Sequence, residues 1–234
     1  MNNLNLGRHI SGQYNKDLET LLNHVMHMGG LIEQQLNDAL AAVNDADSEL
    51  AKKVLSGDHK INDMEVSIDD ECTRLIAKRQ PTAGDLRLIM AIVKTISDLE
   101  RIGDEAEKLA RVAEQSFSAK QQDFIQSLDH LGRHVLVMLQ DTLNAFARMD
   151  VDASIKIHAT DKKIDRVYEA LMRQLMTYMM EDPRSIPQVM TVIWSARALE
   201  RIGDRCKNIC EYIIYSVKAK VVRHVTDEDI KNLS

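Results

Sequence analysis

Along most of this chain apolar residues return every three or four positions, the spacing that gathers them on one face of a helix. The pattern is clearest in "IMAIVKTISDLERIGDEAEKLA", where Ile89, Ile92, Ile96, Leu99, Gly103, Ala106 and Ala110 form a stripe. Six such segments are predicted, over residues 16–44, 48–79, 84–117, 122–148, 152–180 and 186–218. Start signals stand at their ends: Asp47 and Asp150 precede the second and fifth segments, Thr82 with Asp85 resembles a capping box, and Ser185 lies just before Pro187. Short connections between long helices make neighbours antiparallel. The predicted fold is therefore all-α, a tandem pair of antiparallel three-helix bundles with six long helices.

The tandem reading comes from the chain being written twice. "LERIGD" occurs at residues 99–104 and again at 199–204. At an offset of 103, Gly29 lies over Gly132, Leu36 over Leu139, Leu40 over Leu143, Asp47 over Asp150, Asp58 over Asp161, and Ile61 over Ile164. The offset becomes 100 across "LRLIMAIVKTISDLERIGD" and "IPQVMTVIWSARALERIGD". The change of register falls around "RQPTAGD" and "MEDPRS", where the prolines sit and a loop absorbs a length difference. A duplicated unit of roughly 100 residues follows, dividing the chain into repeats at 1–118 and 119–234.

Composition agrees with helices and narrows the partners. Only 3 prolines and 9 glycines interrupt the chain, aromatics are 4%, and 44% hydrophobic against 28% charged residues suits a folded protein. A net charge of −6 gives no general attraction to nucleic acid or to an anionic membrane. "MNNLNLGRHISGQ" has no apolar signal-peptide region, and no apolar run reaches the length of a membrane span, so a cytoplasmic location is expected. Cys72, Cys206 and Cys210 lack C-x-x-C spacing and read as small apolar residues.

The candidate chemistry lies in paired acids. Glu100 and Asp104 stand one turn apart at the edge of the third-helix stripe, and Glu200 and Asp204 repeat them beside Val192, Ile193, Ala196, Leu199, Gly203 and Cys206. Asp58 with Asn62, and Asp161 with Asp165, make similar pairs on the middle helices. Like charges at this spacing cost a helix about 0.2–0.5 kcal/mol. If the middle and third helices are antiparallel neighbours, each repeat presents four oxygen-bearing side chains across one groove. Oxygen-only donors suit hard divalent or trivalent cations such as Mg, Ca, Mn or oxidised iron, not tetrahedral zinc. Asn62 makes the first groove differ in charge from the second. The other reading is that Arg101, Arg201, Lys60 and Lys163, which also recur, neutralise the acids in ordinary salt bridges. Gly103 and Gly203 cost a helix about 1 kcal/mol each against Ala, and their recurrence implies close helix approach.

Other signals are weaker. His27 and His130 are equivalent, and His130 and His134 are one turn apart, but none lies in a metal-ligand motif, so they read as partly exposed helix residues. The Met-rich "LMRQLMTYMMED" reads as core. There is no Walker A sequence, dinucleotide glycine pattern, G-x-S-x-G elbow or Cys/His nucleophile arrangement, and no catalytic residue is assigned. A metal-dependent hydrolase or oxidase using the acidic grooves is the enzymatic alternative, without a general base or an E-x-x-H pair to support it.

The doubled "LERIGD", "AKRQPTAGDLRLIM" before the first, "RQLMTYMMEDPRSIP" before the second, and "HISGQYNKDLE" near the start resemble the PhoU family of phosphate-signalling proteins, from about His9 to His224. The resemblance implies two three-helix bundles in a homodimer, acting without catalysis as a cytoplasmic negative regulator of the phosphate regulon. It implies partners, the ATPase subunit of the phosphate ABC transporter and a membrane sensor histidine kinase. It also associates the E/D-x-x-x-D motifs with bound metal, here Glu100, Asp104, Glu200 and Asp204, to which the spacing argument adds Asp58, Asp161 and Asp165.

Overall fold

Six long helices form where the apolar stripes predict them: α1 (Gly12–Asp45), α2 (Ser48–Arg79), α3 (Ala83–Ala110), α4 (Ala119–Arg148), α5 (Val151–Glu181) and α6 (Ile186–Lys218). The structure is a computed structural model that describes residues 12–114 and 119–222. The third helix stops short of its predicted end. After Ala110 it tightens into a 3₁₀ turn over Arg111–Glu114, and residues 115–118 lie outside the described residues.

The turn after the first helix of each repeat is built the same way. Ala46 and Met149 adopt left-handed backbone at φ 52° and 48°, a conformation that costs a non-glycine residue about 1–2 kcal/mol. The next N–H groups recover hydrogen bonds, Asp47 to the Ala42 carbonyl at 2.9 Å and Asp150 to the Ala145 carbonyl at 3.0 Å. The Asp47 carboxylate then accepts from the N–H groups of Glu49 and Leu50, both at 3.0 Å, and Asp150 accepts from Ala153 at 2.9 Å. These caps fold the middle helix back along the first. The other start signals work differently from the expectation. Thr82 precedes α3, but its hydroxyl donates to Asp85 at 3.0 Å rather than accepting from the helix. Ser185 donates to the Asp182 carbonyl at 2.7 Å within the 3₁₀ turn Pro183–Ser185.

Each repeat packs as an up-down-up bundle, α1–α2–α3 and α4–α5–α6, and the two bundles lie side by side through α3 on α6 and α1 on α4. One apolar core runs through all six helices. The α1–α4 crossing is quasi-symmetric. A Cβ on Gly29 would run into the Leu143 side chain, and one on Gly132 into Leu40. These are the glycine–glycine and leucine–leucine pairs of the repeat alignment. The Met-rich stretch of α5 only partly joins the core: Met172 is buried, whereas Met176 and Met180 face solvent. Its residues follow a single-sided helical stripe, so their shared apolar character does not place them all inside.

Candidate functional site

In α3, Ile89, Ile92, Ile96, Leu99, Ala106 and Ala110 are all buried, which orients the helix about its axis. Glu100 and Asp104 then fall at the edge of the buried face, half-buried and open to the groove beside α2. Gly103 brings the two helices together there. A Cβ on it would stand 3.4 Å from Ile61 and 3.5 Å from the Asp58 carboxylate. In the second repeat a Cβ on Gly203 would be 3.5 Å from Ile164 and 3.6 Å from Asp161. The predicted close approach is therefore made in both repeats, and in both it sets the middle-helix aspartate against the motif.

In the groove between α2 and α3, carboxylate oxygens of Asp58, Asp104 and Glu107 lie within 4.8 Å of one another. Sequence reasoning names the first two and misses Glu107. Asp58 also accepts hydrogen bonds from the Gln35 amide of α1 and from Asn62, each at 3.3 Å. Neutral amides leave its charge in place. The Glu100 carboxyl is held above the ordinary range by partial burial and then by repulsion from Asp104 and Glu65. Asp104 is raised by partial burial and then by Asp58.

The groove between α5 and α6 has the same plan with a different charge balance. Asp161 is buried and accepts from Lys207 Nζ at 3.0 Å. Glu200 accepts from Arg197 at 2.8 Å. Burial alone would lower the Lys207 pKa, but the hydrogen bond and charge of Asp161 outweigh it and hold the ammonium above its usual value. Asp165 and Glu200 are raised by partial burial first, then by Asp161 and Asp204 respectively. Asp204, exposed at the rim, is pushed the same way by loss of water around its carboxyl and by Asp161.

The recurring bases do not make the salt bridges expected of them. Arg101 lies 3.6 Å from Asp98, and Arg201 reaches Glu105 at 3.3 Å. Both belong to the α3–α6 seam, where buried Asp98 also accepts from Arg205 at 3.3 Å and from the Tyr212 hydroxyl at 2.9 Å. Lys60 and Lys163 are exposed. Among the described residues, none makes a hydrogen bond or ion pair with Glu100 or Asp104. His27 and His130 are exposed on their helices, with the His130 and His134 rings 4.7 Å apart. The three cysteines are buried and unpaired by disulfides, and burial pushes the Cys72 and Cys210 thiols up to about 12.

Donor chemistry in the first groove fits a hard cation: three carboxylates converge, and the raised pKa values of Asp104 among them and of Glu100 alongside are ones a cation would bring down. In the second, the Lys207 ammonium already sits against Asp161 in the corresponding place.

Comparison with known proteins agrees with the duplication. The PhoU domain family model matches residues 25–113 and again 128–213. The phosphate-specific transport system accessory protein PhoU of Serratia marcescens is 58% identical over 233 residues, covering 100% of this chain and 96% of that protein. Its namesake from Escherichia coli K12 is 56% identical, covering 100% and 97%. The crystal structure of PhoU from Pseudomonas aeruginosa superposes with a TM-score of 0.83 at 48% identity, covering 88% of this chain and 100% of that one. The phosphate transport system regulatory protein PhoU of Streptococcus pneumoniae gives 0.81 at 30% identity, covering 89% and 99%. With both repeats matched and relatives of this identity along the whole chain, the protein belongs to the PhoU family.

Proposed function

We propose that this protein is an accessory regulator of phosphate transport, acting as a non-enzymatic adaptor. In this reading it contacts the ATPase subunit of the phosphate ABC transporter and a sensor histidine kinase, and restrains uptake and the phosphate regulon when phosphate is ample. The observation that carries the reading is the 58% identity, end to end, with a protein named as an accessory of the phosphate-specific transport system. Two side-by-side bundles offer separate helical faces for two partners and for a second copy of the chain. Among the described residues no helix is long and apolar enough to cross a membrane, which agrees with a protein that meets its membrane partners from the cytoplasm.

A hard cation in this account is held by Asp58, Asp104 and Glu107, with Glu100 alongside, and ties α2 to α3. Asp161, Asp165, Glu200 and Asp204 form the related groove, partly neutralised from within by Lys207 and Arg197. Deleting the gene should leave phosphate-starvation genes expressed in phosphate-replete cells, and the intact chain should co-purify with the transporter ATPase and the kinase from such cells. Normal repression in the deletion strain would count against the regulatory role, and absence of both partners against the adaptor role.

A further inference from the structure

Among the described residues, the seam between the repeats is filled at one end and open at the other. Helices α3 and α6 run antiparallel, since Asp98 meets Arg205 while Glu105 meets Arg201. Positions of one repeat therefore reappear at the opposite end in the other. At the filled end, Lys94 Nζ lies 5.6 Å and 5.9 Å from the ring centroids of Tyr212 and Tyr215, and the Tyr212 hydroxyl donates to buried Asp98. The aligned residues at the open end are Trp194 for Lys94, Ala198 for Asp98 and Val112 for Tyr212. Trp194 has no cation, Ala198 no carboxylate and Val112 no phenol, so the contacts that close the first end are not repeated.

What remains is a groove of about 420 Å³ lined by Val112, Ala198 and Trp194 and bordered by Lys108, Arg111, Arg197 and Arg201. Trp194, the only tryptophan of the chain, is 65% exposed. Glu105 is the one acid among the described lining residues, and it already accepts from Lys108 at 3.0 Å and Arg201 at 3.3 Å. Arg111 and Arg197 are ion-paired with Glu107 and Glu200 at the groove edges, so the four cations face three carboxylates and keep a net positive charge around the indole. In a chain of net charge −6, four cations around an exposed indole run against the general balance.

We propose that this groove docks an acidic segment of a partner protein, with an apolar side chain on the Trp194 indole and carboxylates on the four surrounding cations. A large, exposed aromatic ringed by arginines is the composition of an interface hot spot. The cations are about half exposed, which suits exchangeable side-chain contacts at an interface rather than a dehydrated pocket for a small anion. A net charge of −6 disfavours duplex nucleic acid, and a concave groove does not match a flat lipid surface. The proposal concerns a surface beside the acidic grooves, which it meets through the Arg111–Glu107 and Arg197–Glu200 pairs, and it requires neither metal in those grooves nor the accessory role.

The single tryptophan provides the readout. The intact chain is titrated with a short synthetic helical peptide of Glu, Asp and Leu, and with its Gln and Asn counterpart, while acrylamide quenching of Trp194 is followed. The acidic peptide should protect Trp194, and rising salt should weaken it. With labelled peptide, Trp194→Ala should lose at least about 30-fold in affinity, and Lys108→Glu with Arg111→Glu at least about tenfold, with circular dichroism confirming that each variant is folded. Equal protection by the neutral peptide, by phosphatidylglycerol vesicles or by duplex DNA would overturn the proposal. So would absence of protection, or protection that grows with protein concentration alone, which would make the groove an interface between copies.

Discussion

The two acidic grooves descend from one repeat, keep the same Glu-x-x-x-Asp pair, and balance their charge in different ways. In the α2–α3 groove the third carboxylate is Glu107, and Asp58 is met by the neutral amides of Gln35 and Asn62. In the α5–α6 groove the aligned residue is Lys207, bonded to Asp161, while Met138 stands where Gln35 would be. Carboxylates within 4.8 Å repel one another by on the order of 1 kcal/mol per pair after solvent screening. Arg111 pairs with Glu107 at the rim of the first groove, and the repulsion between Asp58 and Asp104 is left for an external cation to relieve. The second carries its cation covalently. The asymmetry expected from Asn62 is present, yet the larger one is at positions 107 and 207 and runs in the opposite sense.

Removing the internal cation should have the largest effect. Lys207→Met leaves buried Asp161 without its ion-pair partner and should cost about 3 kcal/mol in urea denaturation with chelator present; a cost near zero would mean that Asp161 is solvated well enough alone. Adding Mg²⁺ or Mn²⁺ at about 100 times its dissociation constant should stabilise the parent protein by about 2.7 kcal/mol, and Asp104→Asn should abolish most of this gain. The pH dependence has a definite sign. The folded pKa values of Glu100 and Asp104 are raised, so their repulsion is fully present above those values and relieved as pH falls through them. Protons thus replace the cation, and metal-dependent stabilisation should shrink on acidification.

Smaller changes sharpen the comparison. Both repeats open the middle helix with an aspartate cap, accepting from two N–H groups at Asp47 and one at Asp150, so Asp47→Ala and Asp150→Ala should each cost about 1 kcal/mol; a large inequality would show that the repeats differ in more than groove charge. Asn62→Asp gives the first groove the extra acid of the second. It should destabilise the chelator-treated protein by about 0.5 kcal/mol and strengthen cation-dependent stabilisation, as measured by paired melts with and without Mn²⁺.

Helix positions and the meeting of Asp58 with Asp104, and of Asp161 with Asp204, were legible because helical period and antiparallel connection fix which side chains share a groove. Glu107 was not, because a search for what the two copies share passes over the position where they have opposite charge. That charge reversal between aligned positions was the available signal. Gln35 could not be found from spacing, since its reach into the groove depends on how α1 is rotated against its neighbours. The buried pair Asp98 and Glu105 was hidden for another reason. Helix α3 is covered by its own bundle on one side and by α6 on the other, so a single apolar stripe describes only half of its burial.

The most direct measurement is elemental analysis of protein purified without chelator, comparing the parent with Asp104→Asn and Asp204→Asn after each is shown to be folded. A groove that depends on an external cation, beside one that supplies its own, predicts that Asp104→Asn loses most of the bound metal and Asp204→Asn retains it. Equal loss in both variants, or metal content unchanged in Asp104→Asn, would contradict the account.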